Sequence, residues 1–327
     1  MQRLNSKTLV TGALAGITAA LLVLGANAQS SFSVVLYAAS ALPILLAGLG
    51  WGNVAAIAAV ITAAALSALT ISPSFAVVMT LVTLAPAGWL SHLANLARPA
   101  SELGGPDHLT AWYPLSDILL HLCGLVTFAM IVIGVMIGYG PTLTDQIVDL
   151  FITSLREQQP TFAPDPEATA RAKALMLLAI PAVQGAFWVS LLFAAYYVAT
   201  RIVTVSGRNF RPREDIPSAL RMNRNAIFIF LAGLIACFLG GVPALIGATV
   251  LGTFGAGFLL SGFAALHYRT RGKDWRIPAL ILCYLASLML ALPALFILVV
   301  GLSDTRKAIA LTPNKDANAQ NQPDTKF

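Results

Sequence analysis

The sequence predicts an all-α protein, a polytopic bundle of transmembrane helices, and three observations support that fold class. Of the 327 residues, 57% are hydrophobic and only 10% are charged, whereas a soluble domain carries about 25% charged residues. Apolar runs of the roughly 20 residues that a helix needs to cross a bilayer recur along the chain. The arginines and lysines lie between those runs. This distribution is typical of a multi-pass membrane protein.

Nine apolar runs are candidates for membrane spans, and we expect them to form one transmembrane domain over residues 1–303. A polar tail, 304–327, lacks apolar periodicity and is predicted to be disordered. The nine runs are 9–26, 33–50, 53–71, 75–97, 115–139, 174–200, 225–244, 247–268 and 277–301. Nine crossings would place Arg306 and Lys307 outside the cell, which the charge bias opposes, so the count stays between eight and nine.

The basic residues predict a cytoplasmic N-terminus, because cytoplasmic loops carry the excess of arginine and lysine. With that orientation, thirteen lie inside: two before the first run, one at Arg98, six in 201–224 and four in 269–276. The outer loop 140–173 holds three, against five acidic residues. We therefore predict a multi-pass protein of the bacterial inner membrane. Orientation explains most of the positive charge, so we predict no nucleic-acid partner.

The first run has two interpretations. Arg3 and Lys7 precede it and Ala26-Asn27-Ala28 follows it, which is the arrangement of a signal peptide cleaved after Ala28. However, 17 apolar or small residues, 9–25, exceed the roughly 7–15 of a signal peptide's apolar core. We expect an uncleaved first helix. The topology of the remainder is the same in both cases.

The outer loop is predicted to contain a helix that lies on the membrane surface. Leu143, Ile147, Leu150 and Leu155 recur at helical spacing and share one face.

A longer helix is predicted to follow it. Asp165 and Pro166 are an N-cap and first-turn pair, and the helix can continue to Ser206. At 1.5 Å per residue its length would be about 60 Å, twice the roughly 30 Å of the hydrocarbon layer. We expect it to project from the membrane and to kink at Pro181.

The chain lacks the sequence motifs of common enzymes and cofactor sites. There is no HExxH, GxSxG, Walker A or GxGxxG segment, so neither an enzyme nor a cofactor is predicted. Cys123, Cys237 and Cys283 are far apart within apolar runs and are predicted to be buried thiols, with no metal or disulfide role.

The first candidate ligand group is Trp112, Asp117 and His121. Asp117 and His121 are four residues apart, so they share one helix face and can touch as a carboxylate–imidazole pair. The alternatives are an acid that stabilises a helix N-terminus, a histidine bonded to a neighbouring helix and a tryptophan at the headgroup level.

Gln184 and Trp188 form a second candidate ligand group, also four residues apart and just after Pro181. A kink with an amide and an indole beside it can line a cavity. An interhelical hydrogen bond by Gln184 is the alternative.

The first helix carries a stripe of small residues at four-residue spacing: Gly12, Ala15, Gly16 and Ala19. Such spacing lets two helix backbones approach closely. The stripe is a candidate docking face for another membrane protein, and internal packing is the alternative.

The basic loop offers a candidate site for anionic lipid headgroups at Arg208, Arg211 and Arg213. The lipid bilayer is therefore the first predicted partner. Membrane orientation alone is the alternative explanation of this charge.

Over residues 5–303 the chain resembles the YybS-type family of uncharacterised bacterial membrane proteins. The resemblance rests on the small-residue first helix, the tight early spans, Ala97-Arg98-Pro99 leading to Trp112-Tyr113-Pro114, and the basic loop 210–217. That family is distantly similar to the substrate-binding (S) subunits of energy-coupling-factor transporters. The resemblance implies docking on a transmembrane partner through the first helix, at the small-residue stripe.

The leading functional hypothesis is a transport component that binds a small solute or lipid inside the bundle, with energy supplied by a partner. The competing hypothesis is a scaffold for cell-envelope assembly that transports nothing. A third is a lipid-modifying enzyme that uses His121 and Asp117.

Overall fold

The computed structural model describes residues 5–28, 30–161, 163–306 and 309–313. Fourteen α-helices in this part of the chain are, in order, α1 Ser6–Ala28, α2 Ser33–Ala39, α3 Ala41–Trp51, α4 Asn53–Thr70, α5 Pro73–Met79, α6 Ala85–Ala94, α7 Leu115–Ile137, α8 Pro141–Gln158, α9 Pro166–Val205, α10 Ile216–Ala219, α11 Asn225–Cys237, α12 Gly241–Arg269, α13 Arg276–Met289 and α14 Ala291–Ser303. The strands are β1 Ala97–Pro99, β2 Leu109–Trp112 and β3 Leu311–Pro313. A π-helical stretch, Thr80–Leu84, joins α5 to α6.

Seven helical segments in this structure are long and apolar enough to cross a membrane, and a bent pair raises the number to eight. The prediction of nine spans changes at two places. The predicted span 225–244 is the 13-residue α11, which ends before Gly240 and Gly241, both at positive φ. The predicted span 277–301 is broken into α13 and α14, and the helix axis bends by 117° between them. Leu290 between them is extended, and Pro293 lies in the first turn of α14.

The stripe on α1 packs against α4 within the same chain. A Cβ on Gly12 would overlap the carbonyl oxygen of Ala55, and one on Gly16 would overlap that of Ala59. Because the numbers on both helices rise together, α1 and α4 are parallel. Their close approach is the one that small residues permit.

The 40-residue α9 matches the predicted long helix. The Asp165 carboxylate accepts hydrogen bonds from the backbone N–H groups of Glu167 and Ala168, at 3.4 and 3.1 Å. This is the predicted N-cap, and Pro166 follows at the first position. The α-helix continues through the buried Pro181.

Helix α12 is the centre of the second half of the bundle. Glycines at the contacts let the backbones of α9 and α14 lie directly against α12. A Cβ on Gly252 would overlap the backbone of Ala182 on α9, and a Cβ on Gly301 of α14 would overlap the carbonyl oxygen of Phe258. On its α7 side, the hydroxyls of Thr127 and Thr253 are 2.6 Å apart. Because other helices surround it, α12 has little surface left to contact lipid.

Four connecting segments meet at one end of the bundle, which we call the basic end: 97–113, 206–224, 270–275 and 309–313. Three contacts join them in turn. An Arg211 Nη donates to the Tyr113 carbonyl at 2.8 Å, an Arg271 Nη lies 2.5 Å from the Asp215 carboxylate, and the backbone N–H of Trp112 donates to the carbonyl of residue 310 at 3.0 Å. The charge bias predicts the first three segments on one side, whereas nine spans would place the C-terminal tail on the other, which the pairing of 309–313 at this end contradicts.

A small antiparallel sheet in the order β1-β2-β3 closes the basic end. In register, Ala111 pairs with Arg98 on one side and with Leu311 on the other. The predicted disordered tail is therefore ordered at residues 311–313, while 314–327 lie outside the described residues. Since β3 pairs with the loop between α6 and α7, the chain crosses the bundle an even number of times between them.

The opposite end, which we call the acidic end, consists of α8 and the start of α9. Helix α8 occupies the predicted outer loop and exposes Leu150 and Phe151. The Lys173 ammonium on α9 lies 3.1 Å from the carboxylates of both Asp145 and Asp149. These exposed ion pairs hold α8 against α9.

Candidate functional site

A cavity of about 390 Å³ lies at the basic end, between the last turns of α9 and the loop that follows it. Leu49 and Leu115 contribute apolar walls from α3 and α7, and Ile216 contributes one from α10. Hydroxyl, amide, guanidinium and carboxylate groups supply its polar lining. The cavity thus has both an apolar and a cationic surface, as a site for a small organic ligand requires.

Arg211 shapes one wall of this cavity and is committed to structural bonds. Its guanidinium forms a close ion pair with Glu214 and donates to the Tyr113 carbonyl at 2.8 Å. Only 10% of its side chain is exposed. Of the three arginines predicted to bind lipid headgroups, this one is therefore buried within the loop, where its charge is neutralised by Glu214.

The second acidic residue of the wall is also paired. Asp215 bonds to Arg271, which holds the pKa of that carboxyl below its ordinary value, with a further contribution from Ser218. Both acids of the cavity wall therefore have an arginine partner. Because Glu214 and Asp215 are paired in this way, they do not neutralise the other arginines that line the cavity.

Two arginines of the cavity, Arg201 and Arg213, are exposed and have no carboxylate partner among the described residues. Arg201 stacks over the Tyr197 ring at 5.6 Å. Arg208 is exposed too, but its guanidinium covers the Trp51 ring at 4.7 Å and does not line the cavity. The cavity therefore carries net positive charge from two guanidinium groups.

Tyr196 adds a buried polar group to the cavity. It is only 3% exposed and lines the cavity from α9. No residue in the described ranges hydrogen-bonds its hydroxyl. Tyr196 therefore offers a ligand in the cavity a hydroxyl that no described residue engages.

The first group of predicted ligand residues lies beside this cavity but does not line it. Trp112 is in β2, where its indole Nε1 donates to the Thr312 hydroxyl at 2.9 Å. Asp117 is buried and accepts a 2.5 Å bond from the Asn223 amide. His121 Nε2 lies 3.1 Å from the Tyr113 hydroxyl. Each of the three side chains thus bonds to another part of the chain.

The second predicted group is distant from the basic end. Gln184 is exposed near the middle of α9, and its amide oxygen accepts a short bond from the Tyr139 hydroxyl. Trp188 is half-buried with an edge contact to Phe187. Gln184 thus makes a hydrogen bond to another part of the chain, as the alternative interpretation expected. The two predicted groups lie apart and do not form one site.

A second cavity, of about 430 Å³, opens between α4 and α6. Its walls are apolar except where the Asn53 amide and His92 Nδ1 lie 2.7 Å apart. Trp89 lies beside them. No group of three or more His, Cys, Asp or Glu side chains suited to a metal ion occurs in the part of the chain that the structure describes.

The sequence analysis did not single out Arg201 and Tyr196. Both follow from the spacing of α9: 196, 197, 200, 201 and 204 are one face of a helix that runs into the basic loop. That face could have been found by continuing the helical periodicity past the predicted end of the span at residue 200.

Comparison with known proteins adds no relative: no family model, no curated protein and no solved structure matches the chain. The resemblance to the YybS-type family stays a prediction.

Proposed function

We propose that this protein is a membrane transport component that binds a small solute or lipid in the cavity at its basic end. The observation that carries the proposal is the cavity itself, about 390 Å³ in volume, with apolar walls and arginine and tyrosine side chains. Sites for small molecules have this size and combination of surfaces.

The same end of the bundle is proposed to face the cytoplasm. Its four segments contain seven of the fourteen arginines, and Arg201, Arg269 and Arg276 lie at the adjoining ends of α9, α12 and α13. Cytoplasmic loops carry the basic excess. Both termini then lie inside, because α1 starts at this end and β3 pairs with β2. On this topology the 13-residue α11 brings the chain away from the basic end to the start of α12, and α12 crosses back. Helices α13 and α14 enter and leave the membrane on the same side. The location would be the bacterial inner membrane.

The packing of the first helix counts against docking at the small-residue stripe, both for a scaffold and for the partner of a transport component. Gly12 and Gly16, half of the stripe proposed for docking, face α4 at backbone contact. A partner helix would have to displace α4 to use them.

The proposal is tested with purified protein in detergent, by thermal unfolding in the presence of a panel of vitamins, other small solutes and lipids. We expect at least one compound to raise the melting temperature, because a ligand at about 100 times its Kd stabilises the folded state by about 2.7 kcal/mol. The shift should disappear in Thr200→Trp, which fills the cavity.

Val198→Trp is the matched control, since Val198 lies on the exposed side of the same helix and does not line the cavity. No shift with any compound, or equal shifts in both tryptophan variants, would contradict the proposal.

A further inference from the structure

We propose that the cavity at the basic end takes an anionic amphiphile, with a phosphate or carboxylate head between Arg201 and Arg213 and an apolar chain against the leucine wall. The inference rests on the proposed function and adds the chemical class of the ligand.

The ion pairs around the cavity leave its lining with a net positive charge. Its two acids have arginine partners: Glu214 pairs with Arg211, and Asp215 pairs with Arg271. Arg201 and Arg213 have no such partner among the described residues, and both are exposed. An anion is the complementary charge. A guanidinium presents a planar fork of N–H donors that matches both phosphate and carboxylate.

Neutral polar groups beside these arginines suit the same head group. Tyr196 lines the cavity, and its hydroxyl has no hydrogen-bond partner among the described residues, so it is available to a ligand there. A tyrosine hydroxyl can donate one hydrogen bond to an anionic oxygen. It sits one helical turn from Thr200 and Arg201 on the same face of α9.

The apolar walls indicate that the anion is carried on a hydrocarbon. Phe210, which is 42% exposed, and the half-buried Ile216 line the cavity together with the buried Leu49 and Leu115. A free inorganic anion would leave these surfaces in contact with water, whereas an acyl or isoprenoid chain would cover them.

The buried Arg211 separates this site from a general basic surface. Its ion pair with Glu214 and its bond to the Tyr113 carbonyl fix the loop that carries Arg213. Arg213 is therefore presented by an ordered wall. Arg208 is exposed as well, but its guanidinium lies over the Trp51 ring and outside the lining.

The test uses the full chain in detergent and isothermal titration calorimetry with three probes: short-chain phosphatidic acid, short-chain phosphatidylcholine and inorganic phosphate. We expect phosphatidic acid to bind at least about tenfold more tightly than phosphatidylcholine, since an arginine–phosphate contact is a charge-assisted bond. Arg201→Gln and Arg213→Gln should each weaken phosphatidic acid by about tenfold or more.

Arg208→Gln is the matched control and should change the Kd by less than about twofold. Tyr196→Phe is the conservative variant that removes only the hydroxyl, and it should weaken phosphatidic acid severalfold. If inorganic phosphate competes as well as the lipid does, the anionic site stands and its ligand is a soluble phosphate compound.

Equal losses in Arg208→Gln and Arg201→Gln would overturn the proposal in favour of non-specific attraction to a basic surface. Binding of a neutral compound that Thr200→Trp abolishes and Arg201→Gln leaves unchanged would also overturn it, while leaving the proposed function intact.

Discussion

The basic and acidic ends of the bundle are held together by different interactions. At the basic end one ion pair, Arg271 with Asp215, is 42% and 47% exposed. Two others are largely buried: Arg211 pairs with Glu214, and the Arg221 side chain is 1% exposed and its Nε donates to Asp304 at 2.8 Å. At the acidic end the charges are exposed: Arg171 and Glu167 form an ion pair with about three quarters of each side chain in solvent. Removing one partner of a buried ion pair lowers the free energy of unfolding strongly, because the other charge is left buried without a partner. Exposed ion pairs contribute little to that free energy. The comparison predicts that the basic end is the rigid part, which suits a binding site.

The largest effect is expected from Asp304→Ala. This change leaves the buried Arg221 without its carboxylate, and we expect the free energy of unfolding to fall by about 3 kcal/mol. The measurement is chemical unfolding in detergent. The double variant Arg221→Met with Asp304→Ala removes both charges and should recover most of the loss. A single variant as stable as the wild type would show that the pair does not stabilise this end.

The next effect concerns the helix that brings Asp304 to its partner. Gly301→Ala places a methyl group against the Phe258 carbonyl, and we expect a loss of about 2 kcal/mol from overpacking. Gly124→Ala on α7 is the control, because a Cβ there meets nothing within 4 Å. It should be neutral or slightly stabilising. Equal effects of both changes in thermal unfolding would mean that α14 does not approach α12 closely.

A third prediction concerns the pH dependence of the basic end. Because Arg271 lowers the pKa of Asp215 in the folded protein, the pair stabilises the fold above the ordinary carboxyl pKa of 3.8 and stops doing so as the pH falls below it. Asp215→Asn should therefore lower the melting temperature at pH 7, and the difference from the wild type should shrink as the pH is lowered below 3.8. A difference that persists undiminished in acid would contradict the assignment.

The smallest effect is expected at the acidic end. Lys173→Met removes the contacts to Asp145 and Asp149, whose side chains are 50% and 64% exposed. We expect a loss of no more than about 1 kcal/mol, and a smaller one at high salt. A loss as large as that of Asp304→Ala would break the contrast between the two ends.

The parts of the fold that follow from local pattern were predictable. Apolar runs located the long helices, and Asp165 with Pro166 located the start of α9 within one residue. The break between α13 and α14 was not predicted, because their hydrophobicity continues through Leu290 and only the backbone changes there. The three short strands were missed for a related reason: two of them pair across about 200 residues, and no local sequence pattern contains that information.

The site was harder to predict than the fold. Counting arginines by loop predicted the same role for Arg208, Arg211 and Arg213. The structure gives Arg211 and Arg221 carboxylate partners and leaves Arg201 and Arg213 exposed. The difference depends on where Glu214 and Asp304 come to lie. That placement is a property of tertiary packing, which spacing along the chain does not determine.

Single cysteines and a membrane-impermeant maleimide test most directly whether three of the four segments, 97–113, 270–275 and 309–313, lie together at one cytoplasmic end. In a background without the native cysteines, Asp107→Cys, Asp274→Cys and Thr312→Cys would be labelled in inside-out and in right-side-out vesicles, with Glu157→Cys as the marker of the acidic end. We predict that the first three react only in inside-out vesicles and that Glu157→Cys reacts only in right-side-out ones. Labelling of Thr312→Cys on the same side as Glu157→Cys would contradict the account.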